Sequence, residues 1–191
     1  PKREDKIGNP LSPYAVTKVV NEIYAKNFSK TYGLNSIGLR YFNIFGKRQD
    51  PKGAYAAVIP KWVSSMIKED EIYINGDGKT TRDFCYIENV IQSNLLAALT
   101  TNSEALNQVY NIAVNDTTSL LELFDMISSM LQEKLNGLII KAPTYRDFQD
   151  GDVRHSQGSI DYAKKLLGYN PTHTINQGLA EAIDWYIANS K

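Results

Sequence analysis

A tyrosine and a lysine four residues apart, Tyr14 and Lys18, are the residues of this chain whose types and spacing most directly suggest chemistry. Residues at positions i and i+4 share one face of an α-helix, so the phenol and the ammonium should point the same way. An ammonium close to a phenol favours the phenolate form, and such a pair can supply a base that accepts a proton near neutral pH. The same spacing also arises by chance, and the tyrosine would then pack on its helix beside a solvated lysine.

The residues around this pair predict the helix that positions it. Ser12 suits the N-cap because its hydroxyl can accept a free amide proton of the first turn, and Pro13 suits the first helical position. No proline or glycine follows until Gly33, and glycine commonly ends helices in the left-handed conformation. The sequence therefore predicts a helix that begins at Pro13 and ends just before Gly33.

Composition restricts the classes of partner. The 21 acidic and 21 basic side chains balance, and no basic stripe indicates a nucleic-acid partner. No apolar run approaches the roughly 20 residues of a membrane-spanning helix, so we expect no membrane partner. The single cysteine, Cys85, fits a reducing compartment, and we expect a cytoplasmic protein. Two histidines and one cysteine do not make the ligand set of a zinc site, and we expect no metal.

Predicted strands alternate with predicted helices, which favours a three-layer α/β arrangement. The strands are expected at residues 36–41, 72–75, 82–87, 108–113 and 138–141, and the later helices at 56–67, 88–99, 119–131, 161–167 and 174–189. The glycines at 76 and 78 suggest that the second and third strands form a hairpin. Residues 143–159 are predicted to form a long polar loop, and such loops usually serve a site. Arg82 and Arg154 are therefore candidates for binding phosphate.

Four longer segments carry a family resemblance. They are NPLSPYAVTK (9–18), LRYFNIFGKRQ (39–49), INGDGKTTRDFCYIENV (74–90) and YNIAV (110–114). In this order they make the chain similar to the C-terminal part of the extended short-chain dehydrogenase/reductases, and more specifically to the NAD-dependent nucleotide-sugar epimerases and dehydratases. Within that family, GAYAAVIPKW (53–62) and YRDFQDGDVRHS (145–156) most resemble the UDP-N-acetylglucosamine 4-epimerases. The resemblance spans essentially the whole chain.

The resemblance implies an α/β fold: the C-terminal part of a Rossmann-type, doubly wound parallel sheet plus a smaller α/β substrate-binding domain. Residues 1–50 would end the NAD-binding domain. Residues 51–191 would mostly bind the UDP-sugar, with some segments returning to the Rossmann sheet. The family's glycine-rich dinucleotide turn has no counterpart among the 12 glycines. We therefore expect a fragment that is inactive alone, although the intact protein would be an enzyme.

The implied activity is NAD-dependent 4-epimerisation of a UDP-hexose through a transient 4-keto sugar, with UDP-N-acetylglucosamine and UDP-N-acetylgalactosamine favoured. Tyr14 would be the catalytic base, and Lys18 would hold the nicotinamide ribose. Tyr41 and Phe42 would line the nicotinamide. In the family the helix that carries the tyrosine pairs with its mate, so the resemblance also implies a homodimer.

The remaining implied positions bind the UDP-sugar. They are Asn43 at the sugar phosphate, Gln49 and Ala57 at the hexose, Val58 at the nucleotide, Tyr73 and Asn75 at the uridine, Arg82 and Gln149 at the diphosphate, Asp152 at the ribose, and Ser156 at the sugar. Family members with a bulky aromatic residue at the Ser156 position exclude N-acetyl sugars, and a serine leaves room for the acetamido group. Gln149 stands where the family usually has an arginine, so the diphosphate contact is expected to be weaker unless Arg146 or Arg154 compensates.

Two other functions fit the same residues. One is a lyase of the same fold, either a nucleotide-sugar 4,6-dehydratase or a UDP-glucuronate decarboxylase. The other is a non-catalytic relative that keeps the fold and binds the nucleotide without turnover. The mass of the product separates the epimerase from the lyases, because epimers have the same mass as the substrate.

Overall fold

A computed structural model describes residues 1–6, 8–50, 57–148 and 153–190 of the chain. The described residues form six α-helices and eight short strands. The helices are α1 (Pro13–Tyr32), α2 (Val58–Ile67), α3 (Ile87–Leu99), α4 (Leu120–Lys134), α5 (Asp161–Leu167) and α6 (Ile175–Asn189). The strands are β1 (Ile37–Tyr41), β2 (Asn43–Phe45), β3 (Tyr73–Asn75), β4 (Thr81–Arg82), β5 (Phe84–Tyr86), β6 (Gln108–Ile112), β7 (Thr118–Ser119) and β8 (Thr144–Arg146).

Helix α1 begins and ends where its capping residues predict. The Ser12 hydroxyl accepts a hydrogen bond from the Ala15 amide at 3.2 Å, and Pro13 occupies the first turn. Gly33 adopts φ 68°, and its amide donates to the Ser29 carbonyl at 3.0 Å. A side chain at that φ would be strained, which explains why the helix ends at a glycine.

Two later helices begin with reciprocal hydrogen bonds that their sequences predict. Ser119 accepts from the Glu122 amide while the Glu122 carboxylate accepts from the Ser119 amide. Thr174 and Gln177 form the same pair of bonds before α6. Each box satisfies two amides that a helix N-terminus otherwise leaves unpaired. The predicted starts of α4 and α6 are confirmed.

The strands pair in a way that supports the predicted α/β class. Three of the four strand pairs are parallel: β1 with β6, β2 with β5, and β3 with β8. The fourth pair, β4 with β7, is antiparallel. Parallel neighbours require crossover connections, and here these connections contain helices α2, α3 and α4. The α/β prediction is confirmed.

Two local predictions about strands were wrong. The residues on either side of the Gly76–Gly78 turn do not form a hairpin, because β3 pairs with β8 and β5 pairs with β2. The strand expected at residues 138–141 is not formed either; β8 lies at Thr144–Arg146, inside the predicted loop. Leu138 and Ile140 do pack against the core. Their alternation therefore reflects burial, which a sequence pattern does not distinguish from strand pairing.

Apolar side chains form two buried clusters. The first gathers α2, α4 and α6 against β3 and β5, and its fully buried members include Val63, Ile74 and Leu123. The second surrounds β6 and α5 and includes Tyr110 and Ile160. Cys85 belongs to the second cluster and is fully buried, as expected for a packing residue.

Candidate functional site

Tyr14 and Lys18 lie together on the first turns of α1. The Lys18 ammonium is 4.9 Å from the centroid of the Tyr14 ring. The tyrosine is 61% exposed. The geometry is that of a cation close to an aromatic ring on an accessible helix face. The pair can therefore engage a ligand that docks against α1.

A half-buried ion pair fixes the position of this helix. Arg40, in β1, donates two hydrogen bonds to the Glu22 carboxylate at 2.7 and 2.8 Å, and a third to the Glu4 carbonyl at 3.2 Å. The bond to Glu22 raises the pKa of Arg40. Bidentate pairing restricts orientation as well as distance. Strand β1 therefore sets where α1, and with it the tyrosine–lysine pair, lies.

A second group of candidate residues meets where β4 runs beside the segment 153–156. Arg82 donates to the Thr81 carbonyl at 2.9 Å and to the Val153 carbonyl at 2.5 Å. The Ser156 amide donates to the Thr81 carbonyl at 3.1 Å. These bonds bring Arg82 and Ser156, which are far apart in sequence, to one place.

Asp83 connects β4 to the segment around Ser156 and to the residues after β6 through hydrogen bonds. Its carboxylate accepts from the Val114 amide at 2.9 Å and from the Gly158 amide at 3.1 Å, and its carbonyl accepts from the Asn43 amide at 3.1 Å. Burial raises the pKa of Asp83 to about 6, against the lowering effect of these backbone donors. Asp83 is not among the site residues predicted from the sequence. The sequence signal for this residue was a carboxylate inside the strand predicted at 82–87.

Phe42 reaches the same segment through a close contact. A Cβ on Gly158 would lie 2.8 Å from the Phe42 ring and 2.9 Å from the Ala113 side chain, so this position has no room for a side chain. Tyr41, one residue earlier, points elsewhere, and its hydroxyl donates to Asn94 in α3 at 3.0 Å. Asn43 is exposed next to them. Phe42 therefore lies against Gly158, two residues after Ser156.

Two candidates for the expected hexose, Gln49 and Ala57, and one for the nucleotide, Val58, lie after β2 and at the start of α2. Gln49 donates to the Ile44 carbonyl at 3.2 Å. Its carbonyl oxygen is buried and accepts from no donor among the described residues. Ala57 immediately precedes α2, and Val58, the first residue of that helix, packs against the first core cluster. The buried Gln49 oxygen is the kind of acceptor that a ligand hydroxyl satisfies.

The candidates at the expected uridine form a neighbouring group on β3. The Arg146 guanidinium stacks over the Tyr73 ring, 3.2 Å from its centroid, and the Tyr73 hydroxyl donates to Glu71. Asn75 pairs in register with Arg146. Arg146 was predicted from the sequence only as a substitute phosphate ligand. Its place on a strand beside Tyr73 followed from a pairing that the sequence did not reveal.

Arg154 is paired with a carboxylate, as a surface arginine often is. Its guanidinium donates to Asp77 at 2.5 Å, and the Lys79 amide and Arg154 together lower the pKa of Asp77. This ion pair links the turn after β3 to the segment that carries Ser156. Gln149 and Asp152 lie outside the described residues.

The residues present fit the ribose end of a dinucleotide such as NAD. An accessible phenol and an ammonium side by side supply the donor and acceptor groups that ribose hydroxyls require. No group of three or more His, Cys, Asp or Glu side chains within the described ranges could hold a metal ion. Among those same residues, no helix has the length and apolar character needed to cross a bilayer.

The NAD dependent epimerase/dehydratase family matches residues 1–113 of the chain. Three solved structures illustrate the similarity. A UDP-glucose 4-epimerase from Thermotoga maritima, solved with UDP-glucose, is 32% identical with a TM-score of 0.88, covering 100% of this chain and 58% of that one. A UDP-N-acetylglucosamine 4-epimerase from Methanobrevibacter ruminantium M1, in complex with UDP-N-acetylmuramic acid, is 35% identical with a TM-score of 0.86, covering 98% and 57%.

The third is a UDP-glucuronic acid 4-epimerase from Bacillus cereus in complex with UDP-glucuronic acid and NAD. It is 29% identical with a TM-score of 0.81, covering 97% of this chain and 55% of that one. The chain spans about half the length of the curated relatives it matches. These similarities confirm the expected Rossmann-like fold, the nucleotide-sugar epimerase character of the family, and NAD as its cofactor.

Proposed function

The chain belongs to the NAD dependent epimerase/dehydratase family, and from that premise we propose that the protein interconverts UDP-hexoses that differ in configuration at C4, with N-acetylated hexoses favoured. The observation that supports this most directly is the Tyr14–Lys18 pair, whose ammonium and ring lie 4.9 Å apart on an accessible helix face. A base and a cation so placed suit the removal of a proton from a sugar hydroxyl.

In this proposal Tyr14 takes the proton from the 4-hydroxyl of the hexose and later returns it. Lys18 binds the nicotinamide ribose beside the phenol. NAD, when bound, supplies the redox chemistry at C4, and the sugar passes through a 4-keto form. The protein contributes position and orientation, which convert an encounter between separate groups into a reaction within one complex.

The sugar nucleotide would be held by the second group of residues. Arg82 provides a guanidinium for the diphosphate, since guanidinium binds phosphate oxygens with paired hydrogen bonds. Asn43 contacts the sugar phosphate, and the buried Gln49 oxygen accepts from a hexose hydroxyl. Tyr73 and Asn75 contact the uridine. Gln149 and Asp152 are proposed for the diphosphate and the ribose from the family pattern alone.

The Tyr14→Phe variant tests the proposed base. We expect it to abolish interconversion in the full-length protein while leaving the binding of UDP unchanged, because only the phenolic oxygen is removed. Tyr32→Phe, at the exposed end of the same helix, is the matched control and should retain turnover. Unchanged turnover by Tyr14→Phe would contradict the assignment. Mass spectrometry of the product tests the reaction type, since a dehydratase or decarboxylase changes the mass.

The Ser156→Tyr variant tests the preference for N-acetyl sugars. Ser156 is half-buried and lies beside Arg82, so a tyrosine there would fill space next to the bound sugar. We expect turnover of UDP-N-acetylglucosamine to fall sharply while turnover of UDP-glucose is retained. Equal losses with both substrates would show that the position does not select the C2 substituent.

We also propose a homodimer that forms through α1. Side chains exposed on this helix include large apolar ones, among them Val20, Ile23, Tyr24 and Phe28. Adjacent exposed apolar residues on one element usually mark an interaction surface. A two-fold pairing of α1 with its copy would bury the same residues on both subunits.

The proposed division into two functional parts follows the two core clusters. The second cluster joins residues of β1 and β2 with β6 and α5, which fits segments after residue 50 returning to the Rossmann sheet. The first cluster, around α2, α4 and α6, fits a separate substrate-binding part. Residues 1–50 would then end the NAD-binding part, and most of 51–191 would bind the UDP-sugar.

A further inference from the structure

Lys2 is held against the segment that carries Ser156 by its backbone. Its amide donates to the Gln157 carbonyl at 2.7 Å, and its carbonyl accepts from the Ser159 amide at 2.9 Å and from the Asn111 side chain at 2.9 Å. With hydrogen bonds on both sides of the Lys2 α-carbon, the direction in which its side chain leaves the backbone is fixed.

The Lys2 side chain reaches the serine. Its ammonium is 3.4 Å from the Ser156 hydroxyl oxygen, and the two line one open cavity of about 400 Å³ with Pro1, Thr81, Thr117, His155 and Gln157. Partial burial and the nearby Arg82 guanidinium lower the pKa of Lys2. Two cations thus lie close together at the place where the substrate is proposed to bind.

We propose that Lys2 determines specificity by donating a hydrogen bond from its ammonium to an acceptor oxygen on the hexose substituent next to Ser156. This inference rests on the proposed function, because it requires the sugar to lie beside Ser156. The ligand chemistry is a UDP-hexose with a carbonyl or carboxylate oxygen on that substituent.

Three features of the site favour such a partner. An ammonium carries three N–H donors, and the contact with Ser156 uses one of them. A partly desolvated ammonium beside a second cation is stabilised most by a hydrogen bond to a polar or anionic acceptor. The small serine leaves space for a group longer than a hydroxyl, so an acyl carbonyl can extend to the ammonium where the hydroxyl of an unsubstituted hexose would fall short.

The test compares kcat/KM of the full-length protein and its Lys2→Met variant with UDP-N-acetylglucosamine, UDP-glucuronate and UDP-glucose. Methionine keeps a similar length and all backbone hydrogen bonds but removes the charge. Lys6→Met is the matched control, since Lys6 is an exposed lysine on the same N-terminal segment. Lys2→Arg keeps the cation and should retain the substrate preference.

We expect Lys2→Met to lower kcat/KM by about ten-fold or more with the substrate that carries the acceptor, since a hydrogen bond to a charged group is typically worth that much in affinity. UDP-glucose turnover and the Kd of UDP should change by less than about two-fold, within the spread usual for surface substitutions. A loss confined to UDP-N-acetylglucosamine identifies the acyl carbonyl at C2, whereas a loss confined to UDP-glucuronate identifies the carboxylate on C5 and places C5, not C2, beside Ser156.

Other outcomes overturn the inference and separate it from the proposed function. Equal losses with all three substrates, or a parallel loss of UDP affinity, would mean that Lys2 acts on the diphosphate or on the fold. No loss at all would mean that Lys2 does not contact the sugar. Absence of turnover by the unmodified protein with every UDP-hexose would overturn the proposed function, and this inference with it.

Discussion

At the scale of single residues, the candidate site combines groups that differ in how firmly they are held. Arg82 and Ser156 are fixed by hydrogen bonds to the same backbone carbonyl, that of Thr81. Tyr14 and Lys18 lie on an accessible helix face and contact each other. Firmly held binding groups and an accessible reactive pair suit the proposed function, in which a nucleotide is held while a sugar ring turns over.

Replacing Arg82 by methionine tests its role in binding the diphosphate. We expect the Kd of UDP, measured by calorimetry, to rise by about ten- to a hundred-fold, which corresponds to the ~1.5–3 kcal/mol of a charge-assisted hydrogen bond. Arg3→Met is the control, because Arg3 is an exposed arginine paired with Asp5 on the surface. A Kd for UDP that stays at the wild-type value would exclude Arg82 from the diphosphate site.

At the scale of secondary-structure elements, the site depends on connections between strands that are distant in sequence. The Asp83 carboxylate joins β5 to the residues that follow β6 and to the segment of Ser156. At the other side of the first core, the Tyr186 hydroxyl of α6 donates to the Gly46 carbonyl at 2.9 Å and so fixes the end of β2. Hydrogen bonds from other elements therefore hold both β2, which begins at Asn43, and the residue that follows Arg82.

Asp83→Ala should lower the free energy of unfolding at neutral pH by about 1–3 kcal/mol, because it removes both oxygens and leaves the Val114 and Gly158 amides without their acceptor. Urea denaturation measures this change. The carboxylate of Asp125, exposed on α4, is the control position for the same substitution. Equal stability of the Asp83 variant and the wild type would show that these hydrogen bonds do not hold the fold.

The same residue gives stability a defined pH dependence. Because burial raises the pKa of Asp83 to about 6, the folded state holds a proton that the unfolded state releases at lower pH. Proton binding by Asp83 contributes fully to stability below the unfolded-state pKa of about 3.9. That contribution is lost as the pH rises through the folded-state pKa of about 6. We expect Asp83→Asn to remove this decrease in the free energy of unfolding between about pH 4 and pH 6. An unaltered pH profile of unfolding would contradict the assignment.

The capping box of α4 offers a test of local stabilisation. Ser119→Ala removes the hydroxyl that accepts the Glu122 amide and should lower the free energy of unfolding by about 1 kcal/mol. Ser129→Ala, on the exposed face of the same helix, should have little effect or raise stability slightly, since alanine is the better helix former. Thermal denaturation of both variants measures the difference.

At the scale of the whole molecule, α1 is the least covered of the α-helices described. None of its residues is fully buried, although it is the longest helix described. Its inward side is fixed by the ion pair of Glu22 with Arg40, and its other side presents apolar groups. A surface of this kind is stable in water when a second surface covers it.

Ile23→Glu tests the proposed homodimer. Ile23 is 54% exposed on α1, and a carboxylate there would be buried without a partner in a two-fold interface, which is costly. We expect light scattering coupled to gel filtration to show a monomer for the full-length variant. Ile139→Glu, at another exposed isoleucine, should leave the dimer intact. A dimer that persists in the Ile23 variant would place the interface elsewhere.

The sequence alone determined what depends on a few neighbouring residues. Helix α1 begins and ends where Ser12, Pro13 and Gly33 predict. Helices α4 and α6 begin at the predicted capping boxes of Ser119 and Thr174. These ends could be predicted because capping hydrogen bonds join residues within one turn. The four family motifs identified the family, and family membership identified NAD as its cofactor. The helix period also placed Tyr14 and Lys18 on one face.

Tertiary structure decided what depends on residues far apart in the chain. The pairing of β3 with β8 replaced the expected hairpin, and the approach of Lys2 to Ser156 joins residues 154 positions apart. A strand's apolar pattern specifies which side is buried but not which strand lies next to it, because partners are chosen by the packing of the whole core. The chain's local chemistry could therefore be predicted, whereas the neighbours of its candidate site required the folded molecule.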